Sequence, residues 1–273
     1  MIGKLDIVDR HISAFLKLGG SLITDKTQEA TFRPERMRRL AAQVRAALDA
    51  RPEMKLLIGH GSGSFGHFPG RRHNTRAGVH GPDGWVSYAQ VGAAAARLNR
   101  LVTDAFLKAG VPVLSLQPSA SALCHDGVLQ SLALQPIQAA LAHNLVPLLH
   151  GDVALDEVRG GTIVSTEEIF IHLAYHLWPE RILLVGQVAG VLDANGTVVP
   201  HIRPGQLDAI AAQLGGSHGV DVTGGMFSKV TAMLQLVAAQ PNLSVRILSG
   251  LPAGELQRVL VDPHYPAGTL LAA

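Results

Sequence analysis

The chain has 273 residues, of which 47% are apolar, 16% are charged and 4% are aromatic. A chain of this length buries roughly three quarters of its unfolded surface, so it supports one large domain or two lobes that share a sheet. With 23 basic against 21 acidic residues and few aromatic rings for stacking, the composition argues against a nucleic-acid partner.

The sequence carries no pattern typical of a secreted or membrane protein. Cys124 is its single cysteine, so no internal disulfide can form. No signal-peptide pattern opens the chain, and the longest nearly apolar run, 182–192, is too short to cross a bilayer. We therefore expect a cytoplasmic protein with no membrane partner.

Apolar segments of strand length alternate with helical patterns along most of the chain. The predicted strands span residues 12–18, 55–59, 111–116, 145–149, 162–165, 181–185 and 244–248. The predicted helices span residues 37–48, 85–108 with Gly110 as the terminating glycine, and 166–177 with Thr166 as the N-cap. This alternation predicts an α/β fold in which an open, mostly parallel sheet lies between two layers of helices.

The segment 190–199 contains an Asn-Gly turn between strand-forming residues, which predicts a β-hairpin. The hairpin begins the more divergent C-terminal half of the chain, so we predict two lobes on one continuous sheet. The N-terminal lobe spans residues 1–178, and the C-terminal lobe, which contains the hairpin, spans residues 179–273.

Four glycine-rich turns follow predicted strands, and each can bind an anion through converging backbone N–H groups or simply form a tight turn. They span residues 17–21 with Lys26 close behind, 59–67, 150–153 and 221–229. Lys229, in the first turn of a predicted helix, is unfavourable for the helix dipole unless an anion lies there. His67 can donate a hydrogen bond to a phosphate oxygen. Asp152 follows a strand and is expected to point into the crevice where open α/β sheets bind ligands.

The second turn also matches the dinucleotide pattern G-x-G-x-x-G at residues 61–66. The segment 68–70 that follows is a poor helix start, and Asp83 lies in a predicted turn rather than at a strand end. The residues around the match therefore argue against NAD binding. The histidines at 60, 67, 73 and 80 have spacings that fit no compact metal motif, so we expect no metal held by the protein.

In their order and spacing, the four turns resemble those of the amino acid kinase superfamily. The segment 64–67 (SFGH) is most similar to the isopentenyl phosphate kinases within it. The resemblance implies an αβα sandwich and ATP-dependent phosphorylation of isopentenyl phosphate to isopentenyl diphosphate, a step of isoprenoid biosynthesis. It also implies in-line transfer without a general base, Mg²⁺ carried by ATP, and a homodimer.

The resemblance assigns a role to each matched residue. The catalytic residues would be three lysines and the acid that orients them: Lys17, Lys26, Lys229 and Asp152. The acceptor phosphate would be bound by Ser62, His67, Gly151 and Val164. The phosphates of ATP would be bound by Lys17, Gly19, Gly20, Ser21, Gly63, Gly225 and Lys229.

Three segments depart from the family pattern, and in the first of them, the second glycine-rich turn, Ser62 replaces a family glycine. Gln187 and Ala189 replace the aspartates of T-D-V-D-G-V, which leaves the nucleotide preference open. Glu167 replaces the aspartate of S-G-D, so a longer acid stands there.

The hydrocarbon tail of the acceptor would need an apolar pocket. The helix 85–108 can form one wall of this pocket, and the tail length that the pocket accepts is open.

Two other functions are compatible with the same residues. A phosphonate such as fosfomycin can replace isopentenyl phosphate as the acceptor, because both need a basic, glycine-lined anion pocket. A protein of this fold can also bind nucleotides or oxyanions without catalysis, which the loss of the two aspartates favours and the retained lysines oppose.

Overall fold

The computed structural model describes residues 12–72, 74–206 and 225–273, with the backbone alone for residues 67–69, 71 and 72. Within these ranges the strands are β1 (Ala14–Leu18), β2 (Thr24–Asp25), β3 (Thr31–Phe32), β4 (Leu56–His60), β5 (Val113–Ser115), β6 (Leu123–His125), β7 (Val128–Ser131), β8 (Val146–His150), β9 (Asp152–Asp156), β10 (Gly160–Val164), β11 (Arg181–Gly186), β12 (His201–Ile202), β13 (Ser244–Ser249) and β14 (Thr269–Leu271). The helices are α1 (Gly20–Ile23), α2 (Pro34–Ala50), α3 (Gly63–Arg72), α4 (Gly81–Lys108), α5 (Gln135–Ala142), α6 (Thr166–Leu177), α7 (Phe227–Ala239) and α8 (Glu255–Val261).

Eight strands form the main sheet, in the order β12-β14-β13-β11-β1-β4-β8-β5. All neighbouring pairs run parallel except β13 and β14. The predicted open, mostly parallel sheet is therefore confirmed. Because β11, β1 and β4 are neighbours, the loops at their carboxyl ends meet at one edge, where open α/β sheets bind ligands.

Helices cover both faces of this sheet. Phe15 of β1 belongs to the core beneath α6 and α7, while the next residue, Leu16, belongs to the core beneath α2, α4 and α8. This alternation is the two-residue period of a strand that is buried on both faces. On the first face, a Cβ at Gly59 would lie 2.5 Å from Thr166 Cγ2. Glycine at that position lets α6 approach β4 closely.

A second sheet has four strands, in the order β10-β9-β6-β7, and two of them, β6 and β7, were not predicted. β9 and β10 form an antiparallel pair, in which Asp156 lies opposite Gly160 at one end and Asp152 lies opposite Val164 at the other. β6 and β7 have three and four residues, most of them exposed. Strands this short show no apolar pattern in the sequence.

The predicted hairpin at 190–199 is present as a tight antiparallel turn with one isolated bridge, between Leu192 and Val198. Two main-chain hydrogen bonds of 2.8 Å hold it, from Val199 N to the carbonyl of Val191 and from Asp193 N to that of Thr197. The main sheet contains strands from both sides of residue 178, and the division into two lobes stays a prediction.

The N-cap predicted for α6 is wrong by one residue. Ser165, not Thr166, is the N-cap, and its hydroxyl accepts a hydrogen bond from Glu168 N at 3.2 Å. The Glu168 carboxylate accepts one in return from Ser165 N at 2.6 Å, which completes a capping box. The reciprocal hydrogen bonds with Glu168, three residues further on, make Ser165 the N-cap.

Two expectations about the glycine-rich segment are also wrong. The segment 68–70, predicted to be a poor helix start, lies inside α3, which begins at Gly63. Asp83, predicted to lie in a loop turn, is helical and lies near the N-terminus of α4. The C-terminal prediction for α4 is confirmed, because Gly110 follows the helix with φ +80°. In the part of the chain that the structure describes, no helix combines the length and apolar character needed to span a membrane.

Candidate active site

The carboxyl ends of β11, β1 and β4 open into a cavity of about 670 Å³. The segment after β4 lines one side of it, from Gly61 to Gly66. The segment after β11, from Gln187 to Leu192, lines the other side, and Lys229 of α7 also borders the cavity. Lys17 of β1 lies between them. The cavity therefore has two halves, and Lys17 stands at their junction.

One carboxylate holds two lysines at this junction. Glu167, in the first turn of α6, lies 2.6 Å from Lys17 Nζ and 3.3 Å from Lys229 Nζ. Lys17 is only 6% exposed, so its charge depends on this partner. The three residues come from three distant parts of the sequence and form one charge network with two cations and one anion.

The electrostatics of this network keep the acid ionised. Burial alone would raise the pKa of Glu167, but Lys17 and Lys229 outweigh it and lower the pKa to about 2. The pKa of Lys17 is lowered from its usual value, chiefly by burial, although Glu167 raises it in opposition. The network therefore presents a net positive charge to the cavity, as an anion site requires.

The loops that follow β1 and β4 meet through glycine residues, so main-chain atoms form this part of the cavity wall. A Cβ at Gly20 would lie 2.4 Å from Gly63 N, and a Cβ at Gly61 would lie 2.9 Å from Gly20 N. Gly63 also has φ +51°, which favours glycine. The two loops thus touch backbone to backbone. This close contact leaves peptide groups, rather than side chains, to meet a ligand.

Residues 14–249 match the sequence model of the amino acid kinase family. The chain belongs to this family. Isopentenyl phosphate kinase from Haloferax volcanii is 39% identical over 243 residues, which cover 88% of this chain and 94% of that protein. Isopentenyl phosphate kinase from Methanothermobacter thermautotrophicus is 32% identical over 90% of this chain and 94% of its own length. The resemblance seen in the four turns is confirmed.

Solved structures agree with this membership of the amino acid kinase family. A crystal structure of isopentenyl phosphate kinase superposes with a TM-score of 0.79 at 26% identity, over 94% of this chain and 99% of the other. N-acetylglutamate synthase from Neisseria gonorrhoeae gives a TM-score of 0.65 at 16% identity, over 96% of this chain and 61% of the other. The second comparison shows a shared fold alone.

Most of the residues that the family resemblance singled out line the cavity: Lys17, Gly19, Gly20, Ser21, Lys26, Ser62, Gly63, Gly225 and Lys229. His67 lies in α3, and its side chain is outside the described residues. The stretch 221–224 of the fourth turn also lies outside the described residues. The roles of all these residues stay predictions.

Three of the singled-out residues are not among the described residues that line the cavity: Gly151, Asp152 and Val164. The Asp152 carboxylate accepts hydrogen bonds from Ser119 N at 3.1 Å and Val153 N at 2.9 Å. The carboxylate that contacts the lysines is that of Glu167. The sequence signal for Glu167 is its place in the family's S-G-D pattern, where it is a longer acid than the family's aspartate.

Two buried histidines lie beneath the site. His60 ends β4 and His150 ends β8, in register, and their rings stack with centroids 5.6 Å apart. Burial and the neighbouring His150 lower the pKa of His60 to about 3, and burial also lowers the pKa of His150. Both rings are therefore neutral at pH 7, and the stacked pair carries no charge repulsion.

This pair predicts a loss of stability in mild acid. Below about pH 6.5 the unfolded chain binds protons at both histidines more readily than the folded chain does, so the free energy of unfolding falls as pH falls. Each histidine contributes a slope of at most about 1.4 kcal/mol per pH unit. We expect urea unfolding at pH 7, 6 and 5 to show this trend, with a shallower slope in His60→Asn. His264→Asn, in an exposed turn, controls for the loss of one imidazole, and equal slopes in all three proteins would contradict the prediction.

Proposed function

We propose that the chain phosphorylates isopentenyl phosphate with ATP and releases isopentenyl diphosphate and ADP. The observation that carries this proposal is the Lys17–Glu167–Lys229 network at the junction of a cavity with two halves. Two phosphate-bearing ligands fit such a site, one in each half, with cations where they meet. The named relatives, matched over nearly their whole length, supply the identity of the acceptor.

The reaction needs charge neutralisation more than acid–base chemistry. Phosphoryl transfer passes through a loose transition state, so the protein acts mainly by alignment and electrostatic stabilisation. The acceptor is a phosphate monoester, whose second pKa is about 6, so its attacking oxygen is ionised at pH 7. No general base is required. Lys17, Lys26 and Lys229 offset the repulsion between the two anions.

Each half of the cavity has its own proposed ligand. Ser62 and His67, after β4, would bind the acceptor phosphate, with Gly151 and Val164 supporting that side. Gly225 and Lys229 would bind the phosphates of ATP on the other side, together with the loop 19–21. Gly63, which contacts Gly20, belongs where the two ligands meet. Glu167 is a positioning residue that holds two of the lysines.

Mg²⁺ is proposed to arrive with ATP as part of the co-substrate. Glu167, a carboxylate that lines the cavity, is already bonded to two lysines, so phosphate oxygens are the better ligands for the ion. When bound, Mg²⁺ would neutralise charge on the β- and γ-phosphates.

The sequence and the family resemblance support three further proposals. The protein is a homodimer and is located in the cytoplasm. Its chain divides into an acceptor lobe (1–178) and a nucleotide lobe (179–273).

A coupled ADP-release assay tests the function. We expect ADP to form with Mg²⁺-ATP and isopentenyl phosphate, and EDTA to abolish it. Reactions without acceptor, and with fosfomycin in its place, are the controls. Turnover with fosfomycin alone would select the phosphonate kinase, which the relatives do not favour. Silence with both acceptors, in folded protein that still binds ATP, would select the non-catalytic binder.

A further inference from the structure

An arginine that no family motif covers lines the same cavity. Arg76 lies in the segment 74–80 between α3 and α4, and it borders the cavity with Gly70, Asn74 and Ile163. These residues lie on the side of the segment after β4. Arg76 therefore belongs to the half of the cavity that the proposed function gives to the acceptor.

The segment 74–80 is attached to β10 by backbone as well as side-chain contacts. The carbonyl of Arg76 accepts a hydrogen bond from Thr162 Oγ1 at 3.0 Å, and its Nη1 donates one to the carbonyl of Ile163 at 3.3 Å. Three residues further on, Val79 N donates to the carbonyl of Arg159 at 2.8 Å. The segment thus follows the edge of β10.

Glu168 connects this segment to the reacting centre. Its Oε1 lies 2.6 Å from Arg76 Nη2, while its Oε2 accepts the hydrogen bond from Ser165 N that caps α6. The preceding residue, Glu167, holds Lys17 and Lys229. Two consecutive acids in one helical turn therefore hold the reacting lysines and the segment beside the acceptor in fixed relative positions.

We propose that Arg76 and Glu168 form a clamp that positions the segment 74–80 for binding of the acceptor phosphate ester. The proposal rests on the proposed function. Arg76 is a positioning residue, because it acts through the loop it fixes. The pair is exposed to solvent, at 56% and 33% of the two side chains, and exposed pairs contribute little to stability. Its effect belongs in acceptor affinity rather than in the melting temperature.

Steady-state kinetics of Arg76→Ala and Glu168→Gln test the clamp. Glutamine keeps the capping box of α6 but removes the charge that holds Arg76. We expect each variant to raise the KM for isopentenyl phosphate about tenfold, as a misplaced binding loop does, with the KM for ATP changed less than twofold. The double variant is expected to be no worse than either single one, and Arg76→Lys to recover part of the loss. Arg100→Ala, which removes an exposed ion pair on α4, is the matched control.

Several outcomes would overturn the clamp. One is an unchanged acceptor KM in Arg76→Ala, whether or not its Tm falls. Another is a raised KM in Arg76→Ala with an unchanged or lowered KM in Glu168→Gln, because Arg76 would then bind the acceptor by itself. If the wild-type protein does not use isopentenyl phosphate, the proposed function fails but the clamp remains testable. Hydrogen exchange at Val79 N is then expected to be about tenfold faster in Arg76→Ala than in wild type, and equal rates would overturn the clamp.

Discussion

Replacement of Lys17 by methionine is expected to lower kcat by about three orders of magnitude at saturating ATP and isopentenyl phosphate. Lys17 is the cation at the junction of the two halves of the cavity, where the phosphoryl group would be transferred. Removal of one preorganised charge from such a site costs 10²–10³ in rate, and cations on a transferring phosphoryl group can contribute more. Methionine matches the lysine stem in volume, so packing around β1 is kept.

Two further variants separate catalysis from folding. Lys55 lies just before β4, at the opposite edge of the sheet, and donates hydrogen bonds to the carbonyl of Leu141 and to Asn144 Oδ1. Lys55→Met is therefore the matched control and is expected to keep the wild-type kcat. Lys17→Met leaves Glu167 with one cation, so the net charge of the network falls to zero. The double variant with Glu167→Gln removes the negative charge as well and restores the net positive charge. A wild-type kcat in Lys17→Met would remove Lys17 from the reaction.

Long-range contacts set the limit of what the sequence predicts about the fold. Six of the eight strands of the main sheet were predicted within two residues, because each is a continuous apolar run bounded by turn residues, whereas β12 and β14 were not predicted. β6 and β7 were missed because their stability comes from partners rather than from their own pattern. Leu123 of β6 pairs with Leu155 of β9 and with Ser131 of β7, which was itself not predicted.

The site shows the same limit at the level of single side chains. The lysines and glycines that line the cavity were predicted because they belong to the glycine-rich turns of the family. The sequence indicated Glu167 only as a longer acid in the family's S-G-D pattern, and it indicated Asp152 as the acid that orients the lysines. Only the fold brings the first turn of α6 next to Lys17, which is 150 residues away in the sequence. Arg76 gave no signal because its partner, Glu168, is 92 residues away in the sequence.

Glu167→Gln is expected to lower kcat about 100-fold, because the two lysines lose the charge that fixes them. It is also expected to move the alkaline limb of the pH–kcat profile. Glu167 raises the pKa of Lys17, so its neutralisation lowers that pKa further, and Lys17 loses its proton at a lower pH. The acid limb, near pH 6, is expected to stay in place because it reports the acceptor phosphate and the pKa of Glu167 is about 2.

Glu167→Asp separates charge from reach. Aspartate keeps the negative charge but is one methylene shorter, so it is expected to lose about tenfold in kcat while the alkaline limb stays near that of wild type. Glu157→Gln, which removes an exposed acid beside His125, controls for the change of one charge. A merely structural Glu167 would lower Tm in both variants and leave the alkaline limb unmoved. The position of that limb therefore decides whether this carboxylate acts on the lysines or only on the helix that carries it.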